Sequence, residues 1–303
     1  MATPVPAVQR AGRILDLLAS QPGRNLTASG VAAELGLSKA TCFATLVCLT
    51  GMGWVVRDEA GKTYGLGPEL VRLGWATIEQ VPGIAVARRE MFALARDLDV
   101  GCFTCRLVGD DMVILDRAGL EAGAFDLPAL EALRVPARPP LGSVYYAWSP
   151  PAEIEAWLHR AGSVGSKREL EAHRRALSAI RERGYSIGGG IEVQLQLEQL
   201  LERLGTSQRD ERLQLALTLA DLVRGTPAAP ERAGNHHPIS HLLAPAFGSG
   251  GAVTLTLTIV GRPGQVHDGN VERYAKPLLA AMDRITVSAG GHHPDRARAA
   301  ASA

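Results

Sequence analysis

The sequence predicts an α+β fold in two domains joined by a helix. The chain has 303 residues, which is long for one hydrophobic core and comfortable for two. Its first 67 residues combine helical apolar periodicity with a single hairpin pattern, whereas helical and strand patterns alternate from about residue 82 onward. An apolar fraction of 46% and a charged fraction of 21% are ordinary for a folded globular protein.

The first domain contains two short helical patterns separated by a glycine. Thr27 can cap the first of these helices, Gly36 stands where a left-handed C-cap is needed, and Ser38 can cap the second. The second helix would bury Cys42, either Thr45 or Leu46, and Leu49. An earlier amphipathic pattern over residues 7–20 predicts a helix packed behind this pair.

After Gly53 the apolar period changes from helical to two. Residues 54–57 and 63–66 alternate and flank a loop that contains Gly61, which predicts a β-hairpin. Two helices followed by a hairpin predict a winged helix-turn-helix over residues 1–67.

Proline at position 68 opens the next helical pattern, which ends at the Val81-Pro82-Gly83 break. We therefore predict a linker helix over residues 68–81 and a second domain over residues 82–289. A run rich in Leu, Gln, Glu and Arg (191–232) predicts a helical insertion that either decorates the domain or forms a subunit contact. Residues 290–303 have no apolar period and predict a disordered tail.

Alternating patterns predict the elements of the second domain. Helices are expected at 84–98, 141–148, 152–160, 167–184 and 270–287, one hairpin at 102–118, and a second hairpin formed by 239–247 and 252–260.

The charge balance limits how the first domain could bind a nucleic acid. The chain as a whole carries a formal net charge of +1. Residues 1–67 contain six Lys or Arg and four Asp or Glu, so their net charge is 6 − 4 = +2. A single domain with so small a charge should bind DNA weakly, and a homodimer or tetramer is expected to multiply the contacts.

The chain shows no apolar run near the ~18 residues of a membrane span, and its start lacks the pattern of a signal peptide. We therefore predict a cytoplasmic protein without a membrane partner. Four cysteines without a regular framework fit reduced thiols.

With these elements placed, the chain resembles an IclR-type transcriptional regulator over nearly its whole length. Leu37-Ser-Lys-Ala-Thr41, followed by Leu49 and Gly53-Trp54-Val55, is similar to the family's recognition-helix pattern, and Tyr64–Leu70 is similar to its step from wing to linker helix. The resemblance implies a GAF-like α/β effector-binding domain after the linker helix. It also implies that double-stranded DNA, as a pseudo-palindromic operator, and a small organic or aromatic acid are the partners.

Candidate DNA contacts lie on the second helix of the pair and on the hairpin. A hydroxyl and an ammonium at a helix N-terminus suit phosphate, and a hydroxyl further along can reach a base edge, although such residues can also simply be surface residues. The phenylalanine at 43 either faces a thymine methyl or belongs to the core. The full set is Ser38, Lys39, Thr41, Phe43, Thr45, Arg57 and Lys62.

The resemblance also implies an effector pocket in the second domain. A histidine and a threonine hydroxyl there could hold a carboxylate. The implied residues are Pro140, Leu141, Ile239, His241, Thr258 and Val260. The alternative is a dimeric regulator that binds DNA without a ligand, because its effector pocket has degenerated.

No pattern in the sequence favours catalysis, a metal or a cofactor. Cys102 and Cys105 have the spacing of a CxxC motif. On a strand their side chains would point to opposite faces, which does not suit a shared metal or a disulfide. His236 and His237 with His241 suit a loop better than a metal cluster. No nucleophile elbow or dinucleotide fingerprint occurs, so we expect neither an enzyme nor a cofactor.

Overall fold

A computed structural model describes residues 5–20, 26–119, 134–160, 167–188, 238–262 and 264–295. The chain divides into two compact units between Gln80 and Val81. The predicted helical insertion at 191–232 lies outside the described residues, and so do residues 296–303 of the predicted tail.

The first unit has the architecture that the sequence predicts. Its elements are α1 (Pro6–Ser20), β1 (Leu26–Thr27), α2 (Ala28–Leu35), α3 (Lys39–Gly51), β2 (Val55–Asp58), β3 (Thr63–Leu66) and α4 (Glu69–Glu79). The α2–α3 pair bends by 117° at its break, an angle typical of a helix-turn-helix. The strands form an antiparallel sheet in the order β1-β3-β2. The winged helix-turn-helix is therefore confirmed, with one additional short strand, β1.

Local capping explains where the two central helices begin and end. The Thr27 hydroxyl accepts a hydrogen bond from the Gly30 backbone N–H at 3.2 Å, and the Ser38 hydroxyl accepts one from the Thr41 N–H at 3.2 Å. Gly36 ends α2 with φ of 63°, a left-handed conformation that suits glycine. Leu46 rather than Thr45 completes the buried stripe of α3. The core of the unit contains Ile14, Leu17, Leu18, Leu26, Val31, Ala32, Cys42, Leu46, Leu49, Val55 and Tyr64.

The second unit is built on an antiparallel sheet. Its elements are α5 (Ile84–Leu98), β4 (Gly101–Val108), β5 (Asp111–Ala118), β6 (Arg134–Pro136), α6 (Ser143–Tyr146), α7 (Pro151–Arg160), α8 (Lys167–Arg183), β7 (Ser186–Ile187), β8 (Pro238–Ile239), β9 (His241–Phe247), β10 (Val253–Val260), β11 (Val266–His267) and α9 (Val271–Ser288). Six strands pair in the order β6-β5-β4-β10-β9-β7, and β8 pairs separately with β11. The mixed α+β class that the sequence predicts is confirmed.

Two predicted elements of this unit need correction. The strand predicted over 239–247 is two strands, because the chain leaves one ladder at Ser240: Ile239 pairs with Val266, whereas His241 pairs with Val260. The helix predicted over 141–148 is only the single turn α6, since Gly142 precedes it with φ of 88°, outside the helical region.

The two faces of the six-stranded sheet carry different layers. Side chains alternate along β10, so that Leu255, Leu257 and Ile259 belong to one face and Thr256 and Thr258 to the other. The leucine face packs against α5 and α9, which a bidentate ion pair joins: Arg284 donates to both carboxylate oxygens of Glu90 at 2.6 and 2.5 Å. The threonine face carries α6, which in turn packs against α7 and α8.

The residues after α9 are ordered where the sequence predicts disorder. Asp295 accepts hydrogen bonds from the Trp148 indole N–H at 2.9 Å and from Arg181 at 2.7 Å, and these donors hold the pKa of its carboxyl below the usual value in spite of desolvation. The His293 ring packs edge-on against Phe247, with the ring centroids 4.8 Å apart. The prediction of disorder is therefore wrong for residues 290–295, because these contacts depend on partners that are distant in sequence.

Among the described residues, no single helix is long and apolar enough to cross a membrane. The bent pair α2–α3 reaches that length and composition only when its two helices are counted together.

Candidate nucleic-acid interface and effector site

The N-terminus of α3 presents the ammonium of Lys39 to solvent, whereas the Ser38 hydroxyl is engaged by the N–H and Oγ1 of Thr41. Ser38 and Lys39 are both exposed, and Lys39 is the one charged residue in the sequence of this helix. Backbone N–H groups at a helix N-terminus attract anions, and a neighbouring ammonium adds a mobile positive charge. The geometry is suited to a phosphate group of a nucleic-acid backbone.

The two threonines of α3 already have hydrogen-bond partners. Thr41 Oγ1 accepts a hydrogen bond from the Ser38 hydroxyl at 2.8 Å. Thr45 Oγ1 donates to the backbone carbonyl of Thr41 at 2.8 Å. Both side chains are half-buried. Their hydroxyls are therefore less available to read base edges than the sequence pattern implies.

The structure excludes Phe43 from the core of the first unit. Its side chain is 51% exposed and lies outside the core of the first unit. Val47, one helical turn further along, is also 51% exposed. The exposed face of α3 is therefore apolar.

The hairpin of β2 and β3 supplies two further cations. Asp58 shapes its turn by accepting the backbone N–H groups of Ala60 at 3.3 Å and Gly61 at 3.0 Å. Arg57 forms an ion pair with Glu59 at 3.3 Å, and the carboxylate weakens the attraction of Arg57 for a phosphate. Lys62 is exposed in a left-handed conformation with φ of 52°. Of the two predicted wing contacts, Lys62 is the freer cation in this geometry.

In the second unit, three of the six implied effector residues lie on one face of the sheet. His241 pairs directly with Val260 across β9 and β10, and Thr258 lies two residues along β10. Residues two apart on a strand share a face. The structure therefore brings His241, Thr258 and Val260 together. Ile239 is set apart from them, since it belongs to the β8–β11 ladder.

The side chain of His241 is half-buried and closely packed. The Ser240 hydroxyl lies 2.9 Å from its Nδ1, and a Cβ at Gly188 would lie 1.9 Å from its Cε1. Only glycine at 188 leaves room for the ring. Desolvation lowers the pKa of His241 from 6.5 to about 4, so the imidazole is neutral at pH 7. The protonated form that the sequence allowed is therefore not the resting state.

Pro140 and Leu141 lie in the turn that leads into α6, on the threonine face of the sheet. The backbone carbonyl of Pro140 accepts the hydroxyl and the N–H of Ser143. Beside Gly142 lies the fully buried indole of Trp157, whose Nε1 has no hydrogen-bond partner among the described residues. A buried donor without a partner is unusual in a folded protein.

Sequence reasoning missed Tyr145 and Thr256. Their hydroxyls are 3.0 Å apart in the interior, where α6 meets β10. Burial raises the pKa of Tyr145 well above its usual value, so the phenol stays protonated. The alternation Thr254-Leu-Thr-Leu-Thr258 in a buried strand was a signal for Thr256, because it repeats a hydroxyl on one face. No local pattern pointed to Tyr145.

A shallow groove of about 220 Å³ lies between α7 and α8. Its lining includes none of the six implied effector residues. Glu155 and Arg174 on its walls are paired with each other, and Arg181 is paired with Asp295. With its charges already matched, this groove is a poorer candidate for a charged ligand than the sheet face.

The cysteines of the CxxC are buried thiols. Burial raises the pKa of Cys102 and of Cys105 to about 12, which keeps both protonated and unreactive at neutral pH. The described residues contain no group of three His, Cys, Asp or Glu that could hold a metal ion. His236 and His237 lie outside the described residues.

A capped helix-turn-helix with a wing, followed by a helix and a sheet domain, defines the class of DNA-binding transcriptional regulators. Comparison with known proteins agrees. The family model of the IclR helix-turn-helix domain matches residues 7–59. The glycerol operon regulatory protein of Streptomyces coelicolor is 30% identical over 191 residues, which are 61% of this chain and 74% of that protein.

Solved structures of regulators share the fold. An IclR transcriptional regulator from Alicyclobacillus acidocaldarius superposes with a TM-score of 0.65 at 21% identity, covering 95% of this chain and all (100%) of the other. An IclR homologue from Microbacterium hydrocarbonoxydans, complexed with 4-hydroxybenzoate, gives 0.58 at 19% identity, covering 93% and 98% of the two chains. The chain belongs to the IclR family of transcriptional regulators.

Proposed function

We propose that this regulator binds its operator as a homodimer and that a small organic acid, bound on the threonine face of the second unit, modulates the binding. The observation that carries the effector proposal is the cluster of His241, Thr258 and Val260 on one sheet face. The complex of the Microbacterium hydrocarbonoxydans homologue with 4-hydroxybenzoate supports the class of ligand. The protein would act in the cytoplasm on DNA, without a catalytic step.

A neutral histidine suits an effector that binds together with a proton. Without an effector, desolvation lowers the pKa of His241 to about 4. A carboxylate beside the ring would raise that pKa by favouring the charged form. Binding of an acid should then take up a proton, and its affinity should rise as the pH falls from 7 toward 5. A neutral effector would not show this dependence.

The effector must also favour one arrangement of the two DNA-reading heads of the dimer. A ligand shifts an equilibrium only as far as its affinities for the two arrangements differ. We propose that α4, which leaves the wing and ends at the second unit, carries this difference. Repression and activation both need this coupling between the effector site and the DNA-reading heads.

The surface of α4 supports the homodimer. None of its residues is buried within the chain, although Leu70, Leu73 and Ile78 recur at helical spacing. Val71 and Trp75 on the same helix are 60% and 49% exposed. Burial of apolar side chains of this size against a second copy of the chain would stabilise a dimer.

The salt dependence of DNA binding tests the operator contact and the dimer together. The slope of log K against log[salt] is negative, and each phosphate contact that is lost reduces its magnitude by about 0.9. In a homodimer, Lys39→Ala removes two equivalent ammonium groups, so we expect the magnitude of the slope to fall by about 2. Fluorescence anisotropy with duplex DNA at four salt concentrations measures it.

Lys276→Ala, which removes an exposed lysine of α9 in the second unit, is the matched control and should leave the slope unchanged. A fall of about 1 would indicate a single reading head and contradict the dimer. An unchanged slope in Lys39→Ala would remove Lys39 from the phosphate contacts.

A thermal-shift screen tests the effector. We expect 4-hydroxybenzoate or a related acid to stabilise the full chain, and His241→Gln to weaken that binding about 10-fold or more, because a hydrogen bond to a charged group is lost. His159→Gln, an exposed histidine of α7, is the control. If no acid stabilises the protein and none alters its DNA affinity, the ligand-independent regulator is the correct alternative.

A further inference from the structure

The exposed face of α3 is a continuous apolar stripe. Ala40, Phe43, Ala44 and Val47 follow one another at spacings of three, one and three residues, which places them on one side of a helix. All four are exposed, and the two large side chains are each 51% exposed. This side of α3 faces away from the core, which Cys42, Leu46 and Leu49 occupy.

The helix has few polar groups with which to read bases. Its sequence, KATCFATLVCLTG, contains no Arg, Asn, Gln, Asp or Glu. Side chains with a forked pair of donors or acceptors recognise guanine and adenine, and none is present. The hydroxyls of Thr41 and Thr45 are engaged within the helix. Hydrogen-bond readout from this surface is therefore weak.

One base carries an apolar group on its major-groove edge. That group is the 5-methyl of thymine, which Ala, Thr and Phe side chains contact in known complexes. The second helix of a helix-turn-helix enters the major groove. An apolar stripe there matches methyl groups better than any other feature of the groove. The absence of acidic residues from α3 also removes repulsion from the phosphates.

We propose that α3 selects its operator through thymine methyl groups that contact Phe43 and Val47, an inference that rests on the proposed DNA-binding function. The two residues are four apart, which corresponds to a rise of about 6 Å along a helix. This is comparable with two base-pair steps of about 3.4 Å each. The preferred half-site therefore contains two thymines with one base pair between them.

Replacing thymine by deoxyuridine tests the proposal directly, because it removes the methyl group and keeps the base pairing. The probe is a duplex that the full-length protein selects from a random-sequence library, compared with the same duplex in which every dT is replaced by dU. One buried methyl contributes about four-fold in affinity. Two lost contacts in each of two half-sites should weaken binding about 200-fold, measured by anisotropy at fixed salt.

Variants assign the effect to the stripe. Phe43→Ala and Val47→Ala each remove one contact per half-site, so each variant should distinguish the dT and dU duplexes only about 15-fold, and the double variant should bind the two alike. Phe92→Ala removes an equally exposed phenylalanine (55%) from α5 in the second unit, and it should keep the full discrimination. Because Phe43 and Val47 are exposed, these variants should keep the far-ultraviolet circular dichroism of the parent.

Two results would overturn the proposal while leaving the DNA-binding function intact. In one, the selected duplex binds with normal salt sensitivity but dT and dU are bound equally. In the other, the discrimination survives undiminished in the Phe43→Ala, Val47→Ala double variant. A change of oligomeric state in Phe43→Ala with unchanged discrimination would assign the stripe to a second copy of the chain instead. If no duplex shows salt-sensitive binding, the proposed function itself fails, and this inference fails with it.

Discussion

Gly67→Ala is expected to destabilise the winged helix-turn-helix by about 3 kcal/mol or more. A Cβ at this position would lie 2.1 Å from the backbone oxygen of Gly53 and 2.8 Å from the carbonyl carbon of Trp54. Both neighbours are backbone atoms, so no side chain can move aside. The Gly67 N–H also donates to the Trp54 carbonyl at 2.8 Å, and the Glu69 N–H donates to Gly53 at 3.3 Å. The substitution therefore separates the start of the wing from the start of α4.

Hydrogen exchange measured by mass spectrometry on the full chain can detect this change. Peptides that cover Val55–Asp58 and Glu69–Glu79 should exchange about 100-fold faster, in proportion to the lost free energy of opening. Gly65→Ala, two residues earlier in β3, is a matched control, because among the described residues its Cβ would meet only the Val56 side chain at 3.9 Å. Equal exchange in the two variants would mean that the junction relaxes without cost, against this expectation.

Acidification from pH 6.5 to pH 4 is expected to destabilise the second unit through His241. In the unfolded chain the histidine takes up a proton near its ordinary pKa of 6.5, whereas in the folded chain it does so only near 4. Between these pH values the unfolded state binds more protons, so its population rises as the pH falls. Above pH 6.5 the imidazole is neutral in both states, so the folded state keeps its full stability there. Since the ring is only partly buried, we expect a loss on the order of 2 kcal/mol.

Urea denaturation of the parent and of His241→Gln at pH 7.5, 6, 5 and 4.5 measures the difference. The variant should lose less stability than the parent over this range, because glutamine does not titrate. His159→Gln removes an exposed imidazole and should follow the parent curve. Parallel curves for the parent and His241→Gln would mean that His241 has the same pKa in the folded and the unfolded chain, which contradicts the desolvation of its ring.

The first unit could be predicted almost completely because its determinants are local. The caps at Thr27, Gly36 and Ser38 act within three or four residues, and the hairpin depends on its own loop. The strand β1 was missed because two residues show no periodicity, and it exists only through pairing with β3. The hydroxyl contacts of Thr41 and Thr45 depend on side-chain rotamers, which a residue pattern does not specify.

The second unit was harder to predict because its contacts join segments that are distant in sequence. The hydrogen bond of Tyr145 to Thr256 spans 111 positions. The break at Ser240 cannot be read from residues 239–244, which contain no proline or glycine, and it depends on β11 as a partner. His241 was found through the family resemblance, but its neutral state follows from the close packing of Ser240 and Gly188 around the ring.

The six-stranded sheet ends in two very short strands. In the described structure, β6 contributes 3 residues and β7 only 2. Short outer strands offer few unpaired backbone N–H and C=O groups, which are the groups through which sheets of separate molecules join. Copies of this regulator therefore have little opportunity to extend one another's sheets at high local concentration on DNA. The proposed homodimer would then rely on helix surfaces, where side chains rather than backbone groups choose the partner.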